Sequence, residues 1–227
     1  MKRRIFALVF IPVFLFLSIF NTSATSKNVF RKNTSAEKKV ALTFDDGPHP
    51  RYTHRILEIL KKYNVSATFF VLGVNVDNYP DAFCEIVSSG HEIGNHTYSH
   101  QSIKDMSEEN IRRELEKTEA AIAKHSDIKP TVFRPPQGAF GEALERVSGE
   151  CGYDIILWSI DTKDWAHTPP GEIIQKVIKE LDDGDIILMH DYVSGGNATT
   201  LALEMMIPKM LDLGYEFVTV SELISEK

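Results

Sequence analysis

The stretch Val40-Ala41-Leu42-Thr43-Phe44-Asp45-Asp46-Gly47-Pro48 runs an apolar strand straight into two adjacent acids. Val40–Phe44 reads as a buried strand, and Gly47-Pro48 punctuates its end. Neighbouring side chains on a regular strand point to opposite faces. Two close carboxylates also repel, so one tends to hold a proton. A chain that places both acids here needs a use for them.

Outward from this strand, short apolar runs alternate with helical stretches. Residues 54–63 carry Ile56, Leu57, Ile59 and Leu60 at helical spacing. Strands are expected at 67–72, 91–93, 131–133, 154–160, 185–189 and 216–220. Helices are expected at 81–89, from Ser107 to about Lys124, and at 142–151, 172–181 and 199–213. This alternation implies an α/β fold with parallel strands joined by helical crossovers. Seven or eight strands approach the number that closes a barrel, in which chemistry sits at the C-terminal strand ends. The unusual polar residues obey that rule. Asp45 and Asp46 follow the first strand, His96 and His100 the third, Arg134 the fourth. Asp161 and Asp164 follow Asp154-Ile155-Ile156-Leu157-Trp158-Ser159-Ile160, and His190 follows Ile186–Met189.

The chain's ends and composition bound the setting. Lys2, Arg3 and Arg4 precede an apolar run over 5–20, with small residues at 22–24. Residues 1–24 therefore read as a secretory signal or, if uncleaved, a membrane anchor through 5–20. Either reading puts the rest outside the cytoplasm, secreted or at the cell surface. Residues 25–37 read as a polar linker, leaving 38–227 as one domain. The net charge is −7, and losing the three N-terminal cations makes the remainder more acidic still. That excludes nucleic acid as the main partner. Cys84 and Cys151 each fall on a predicted helix, as two separate thiols or one pair. His49 and His54 are expected to face solvent.

His96 and His100 are spaced to reach one ion. Asp46 is the candidate third ligand, because two histidines and a carboxylate with an open position suit a catalytic zinc, and other divalent ions accept similar donors. A metal-activated water needs a base, and Asp45 is the adjacent carboxylate. Arg134, at a rigid exit before Pro135-Pro136, could orient it by a charge-assisted pair. Cleaving an amide also needs an acid. His190 is the candidate, with Asp164 or Asp161 holding its imidazole.

Five motifs in order then carry a resemblance: Thr43–Pro48 (TFDDGP), His96–His100 (HTYSH), Arg134–Gly138 (RPPQG), Asp161–Trp165 (DTKDW) and Leu188–His190 (LMH). Over about residues 38–222 the chain resembles the polysaccharide deacetylases of the NodB-homology type, family 4 of the carbohydrate esterases. The resemblance implies a distorted (β/α) barrel of about seven strand–helix units. It implies a divalent metal, commonly zinc, with cobalt or another ion as alternatives, on Asp46, His96 and His100. Asp45 is then the base, Arg134 its orienting partner, and His190 the acid tuned by Asp164. The backbone N–H of Gln137 becomes an oxyanion donor. Trp165 and Leu188, with Asp161, line the substrate pocket. Many members carry Tyr where this chain has Gln137, which puts the sugar contact in doubt but not the backbone donor.

The resulting expectation is a monomeric hydrolase that releases acetate from an N-acetylated extracellular polysaccharide, peptidoglycan first. The alternatives are a chitin-oligosaccharide deacetylase, an acetylxylan esterase, or an inactive surface module that binds sugar.

Overall fold

The computed structural model describes residues 29–104, 106–194, 196 and 198–226. The expected signal or anchor, 1–24, lies outside them. Among the described residues no helix is long and apolar enough to cross a membrane.

In chain order the elements are β1 (Val29–Phe30), β2 (Lys39–Gly47), α1 (Tyr52–Tyr63), β3 (Thr68–Val71), α2 (Gly73–Asn78), α3 (Pro80–Ser88), β4 (Glu92–Asn95), α4 (Glu108–Ala123) and β5 (Val132–Phe133). After these come α5 (Glu142–Cys151), β6 (Asp154–Ile156), β7 (Ile160–Asp161), α6 (Pro170–Glu180), β8 (Ile186–His190), α7 (Ala198–Asp212), β9 (Glu216–Phe217) and α8 (Val220–Ser225). The strands run in the order β1-β6-β5-β4-β3-β2-β8-β7, with β9 also on β2. Every strand pairing is parallel. The sheet curls into a distorted barrel with helices outside, as expected.

The alternation along β2 builds both layers. Val40, Leu42 and Phe44 join the cluster beneath the outer helices, with Phe44 stacked on Phe69 at 5.0 Å between centroids. Ala41 joins the interior cluster with Phe70, Ile156 and Ile186. Thr43 and Asp45 continue that inner line upward to Arg134. Each fully buried Leu or Phe contributes about 1.5–3 kcal/mol relative to exposure, so the pattern fixes which face of β2 points inward.

The helices follow from local sequence. In α1, Ile56, Leu57, Ile59 and Leu60 form the buried stripe, and Asn64 ends the helix in the left-handed conformation at φ 53°. In α4, the Ser107 side chain accepts the Asn110 N–H, and Glu108 and Glu109 sit in the first turn, where the helix dipole favours acids.

Three expectations need correction. The run 154–160 is not one strand. β6 pairs with β5 and β1, while β7 pairs with β8 at the opposite edge of the sheet. Leu157, Trp158 and Ser159 cross between them, and this covalent step completes the ring that the ladder leaves open. The linker reading of 25–37 fails over its described part. Val29 and Phe30 pair with Ile155 and Ile156, Lys32 bridges to Asp185, and Ala36 is buried. These residues complete the ring at the end away from the strand C-termini. The last strand stops at Phe217, and Thr219 caps α8 reciprocally with Glu222. Of the two alternatives for the cysteines, the separate one holds: Cys84 and Cys151 are both free thiols.

Candidate active site

The two acids that opened the sequence are separated by a bulge. β2 continues through Gly47, which pairs with Val71, and the register shifts between Asp45 and Gly47. Asp46 carries the irregularity in the left-handed region, at φ 71°. The extra residue breaks the alternation of the pleat. Asp45 stays on the inner line, and Asp46 turns toward the two histidines.

Asp45 is buried and receives Arg134 Nη1 at 2.7 Å on Oδ1. The same nitrogen reaches Thr43 Oγ1 at 2.7 Å. Arg134 also donates from Nε to the Ile156 carbonyl (3.2 Å) and from Nη2 to that of Leu157 (3.1 Å). Its guanidinium lies 4.2 Å from the Phe70 ring centroid. Burial alone raises the Asp45 carboxyl, but Arg134, aided by His96 and His190, outweighs it, so the net shift is downward. Asp45 is thereby kept ionised, as a base must be.

Asp46, His96 and His100 offer ligand atoms that all lie within 4.8 Å of one another. His96 Nε2 is 3.5 Å and His100 Nε2 3.3 Å from Asp46 Oδ1. That oxygen is buried and accepts no hydrogen bond. His96 Nδ1 contacts the Arg134 carbonyl at 2.7 Å. A carbonyl only accepts, so Nδ1 carries the proton and Nε2 keeps its lone pair for an ion. An orphaned carboxylate oxygen facing two imidazole nitrogens fits a divalent cation. Burial lowers the pKa of His96, which also favours the neutral, ligating form.

On the neighbouring strand β8, His190 Nδ1 meets Asp164 Oδ1 at 2.8 Å. Asp164 also accepts the His190 N–H, the Thr199 hydroxyl and the Trp165 N–H. Asp161 takes the Trp165 indole N–H at 3.3 Å and the Lys163 N–H instead. Asp164 is therefore the residue that holds the imidazole. Burial opposes the charged form of His190, but Asp164 prevails, helped by Asp45 and Asp46, and the pKa rises to about 9. His190 is the protonated partner of an ionised Asp45, which is the division of labour acid–base chemistry requires.

Asp45, Asp46, His96, His100 and His190 line one cavity of ≈ 640 Å³, together with Gln137, Asp161, Trp165 and Leu188. Gln137 sits in the left-handed region at φ 59°. Among the described residues no acceptor takes its backbone N–H. Leu188 is buried, whereas Trp165 is half exposed at 53%.

Residues 32–156 match the family model described as polysaccharide deacetylase. The chain belongs to the polysaccharide deacetylase family. It is 38% identical over 193 residues to a peptidoglycan-N-acetylglucosamine deacetylase of Bacillus cereus, covering 84% of this chain and 90% of that protein. The peptidoglycan-N-acetylmuramic acid deacetylase PdaC of Bacillus subtilis is 38% identical over 187 residues, 82% of this chain but 39% of that protein. Among solved structures, a carbohydrate esterase family 4 pseudoenzyme from Bacillus anthracis superposes with a TM-score of 0.83 at 35% identity. That match covers 89% of this chain and 70% of that one.

Further residues of this deacetylase-family site were not singled out in the sequence. Glu114, on α4, accepts three bonds on one carboxylate oxygen: the N–H groups of Tyr98 and Ser99 and the Ser99 hydroxyl. It fixes the loop between His96 and His100. Asp191 is buried behind Gly47, accepts the Thr53 hydroxyl at 2.6 Å, and leaves its other oxygen unpaired. Burial raises its carboxyl to about 7. Asp191 and Tyr192 directly follow His190, so the rule of polar residues after apolar runs would have flagged them. His49 is not solvent-facing but half-buried among tyrosines. His54 is exposed, beside Glu85 and Glu58.

Proposed function

We propose that this chain removes N-acetyl groups from the glycan of peptidoglycan outside the cytoplasm, using zinc or a similar divalent ion on Asp46, His96 and His100. The observation that carries the reading is one cavity flanked by an ionised Asp45 and a protonated His190, each held by its own buried partner. The named relatives act on peptidoglycan, on glucosamine or muramic acid units, which supports the glycan chosen here. The basic and apolar start of the sequence supports export.

A cation at Asp46, His96 and His100 would supply Lewis-acid polarisation of the acetamide and a more acidic water. Asp45 takes the proton of the attacking water, with Arg134 fixing its aim. The Gln137 N–H donates to the developing oxyanion. His190 gives its proton to the leaving amine, and Asp164 stabilises the charge before that transfer. Leu188 and Trp165 bound the space for the acetyl methyl. The products are acetate and a free amino sugar.

The test is acetate release from peptidoglycan, chitin oligomers and acetylated xylan, before and after chelation. Release from peptidoglycan that stops on chelation and returns with zinc supports the reading. Release from xylan alone makes the protein an esterase. Glycan binding with no release at saturating zinc makes it a binding module.

A further inference from the structure

The mechanism uses the floor of the cavity and leaves one wall unexplained. Tyr192, two residues beyond His190, lines the same cavity as the catalytic groups and is 39% exposed. An exposed aromatic ring in the lining of a ligand-sized cavity is a natural binding group.

This ring is held in place. It stacks on His49 with centroids 4.5 Å apart and planes within 2°. Tyr52 leans on both, at 5.0 Å from His49 and 5.6 Å from Tyr192. His49 Nδ1 accepts the N–H groups of Arg51 and Tyr52, which fixes the imidazole plane. The backbones beneath the stack are also tied. The His49 N–H donates to Thr53 Oγ1, and that hydroxyl donates to Asp191, the neighbour of Tyr192. The start of α1 and the segment after β8 thus converge to present one flat surface. Preorganisation removes the ordering penalty that a loop side chain otherwise brings to binding.

The shape of the surface selects its ligand. A pyranose ring has a face of C–H groups and a girdle of hydroxyls. An aromatic face covers the first while leaving the second in water. A cavity of ≈ 640 Å³ is far larger than an acetamide, so more of a glycan than the reacting group enters it. Tyr192 follows the acid that serves the leaving amine, so the platform borders the amino sugar's side of the reaction.

We infer that Tyr192, backed by His49, is a sugar-stacking subsite for the pyranose ring next to the unit that loses its acetyl group. The inference rests on the glycan-deacetylase reading above. Tyr192 is a binding residue and His49 a positioning residue that acts through it.

The test compares Tyr192→Ala, Tyr192→Phe and His49→Ala in zinc-loaded protein. Acetate release is measured on N-acetylglucosamine, on its tetrasaccharide and on a peptidoglycan tetrasaccharide. Losing one aromatic stack raises KM for a tetrasaccharide by about tenfold, more than kcat falls, and the penalty is smaller on the single sugar. Tyr192→Phe keeps the ring and most of the affinity. His49→Ala shows the same length dependence with a smaller rise. Tetrasaccharide affinity by calorimetry in an Asp45→Asn background, with and without Tyr192→Ala, gives the binding effect without turnover. Equal affinity in that pair, or a penalty independent of chain length, overturns the subsite. If the unaltered protein releases acetate from no N-acetylated glycan, the functional reading fails, and the subsite falls with it.

Discussion

Asp45 and His190 are register partners on the adjacent parallel strands β2 and β8. Neighbouring strands are about 4.8 Å apart, so the backbone ladder itself sets the spacing of the proposed base and acid. Neither residue depends on a mobile loop for its place. Asp45→Asn keeps the shape and removes the proposed base. Turnover should fall by about 10²–10⁴, while zinc binding, followed by chelator competition, persists. Near-normal turnover with metal bound would reassign the base.

The pH profile carries a second prediction. As the proposed acid His190 must be protonated, and its pKa is raised to about 9. The rate should therefore hold through neutral pH and fall as pH rises through that value. Asp164→Asn should move this limb to lower pH, since Asp164 is the main group holding the proton. The same shift bears on stability. A histidine raised above its unfolded value stabilises fully below about pH 6.5, and the gain is lost as pH rises toward 9. Chemical denaturation across that window, with and without Asp164→Asn, checks the sign. A variant whose stability keeps the full pH slope would place the slope elsewhere.

Glu114 touches neither ion nor substrate in this scheme, yet its oxygen collects three donors from the loop between His96 and His100. Glu114→Ala leaves those donors without their acceptor. Metal affinity should drop about 10–100-fold, as for other outer supports of metal ligands. Zinc titration against a competing chromophore measures it. An unchanged affinity would mean that the loop is held without it, by the Thr97 hydroxyl on the His100 N–H and by the Gly73 and Val74 N–H groups on the Thr97 and Tyr98 carbonyls.

Gly47 is close-packed rather than merely flexible. A Cβ there would sit 2.0 Å from Asp191 Oδ2. Gly47→Ala should destabilise the fold by roughly 1–3 kcal/mol, as overpacking does. Adding Asp191→Ala should recover part of the loss, giving a coupling energy in a double-mutant cycle. Strict additivity of the two changes would show that Asp191 moves aside freely.

Much of the site was readable because a parallel barrel gathers strand ends. Asp45, His96, Arg134, Asp164 and His190 each follow an apolar run, and the fold brings those ends to one cavity. The unread parts have definite physical causes. The run Asp154–Ile160 has one hydropathy but two neighbours, and periodicity carries no trace of a strand leaving its sheet at Leu157. The bulge at Asp46 depends on a left-handed backbone that sequence alone does not mark. β1 is two residues long and its neighbours are polar, so no pattern announces it. His49 looked like a surface residue because its partner, Tyr192, lies far along the chain.

β1 also bears on the candidate base. Phe30 pairs with Ile156, the residue whose carbonyl takes the Arg134 Nε–H, and Arg134 in turn holds Asp45. A two-residue strand at the edge of the sheet thus stands behind the aim of that carboxylate, and loosening it would be felt at Asp45.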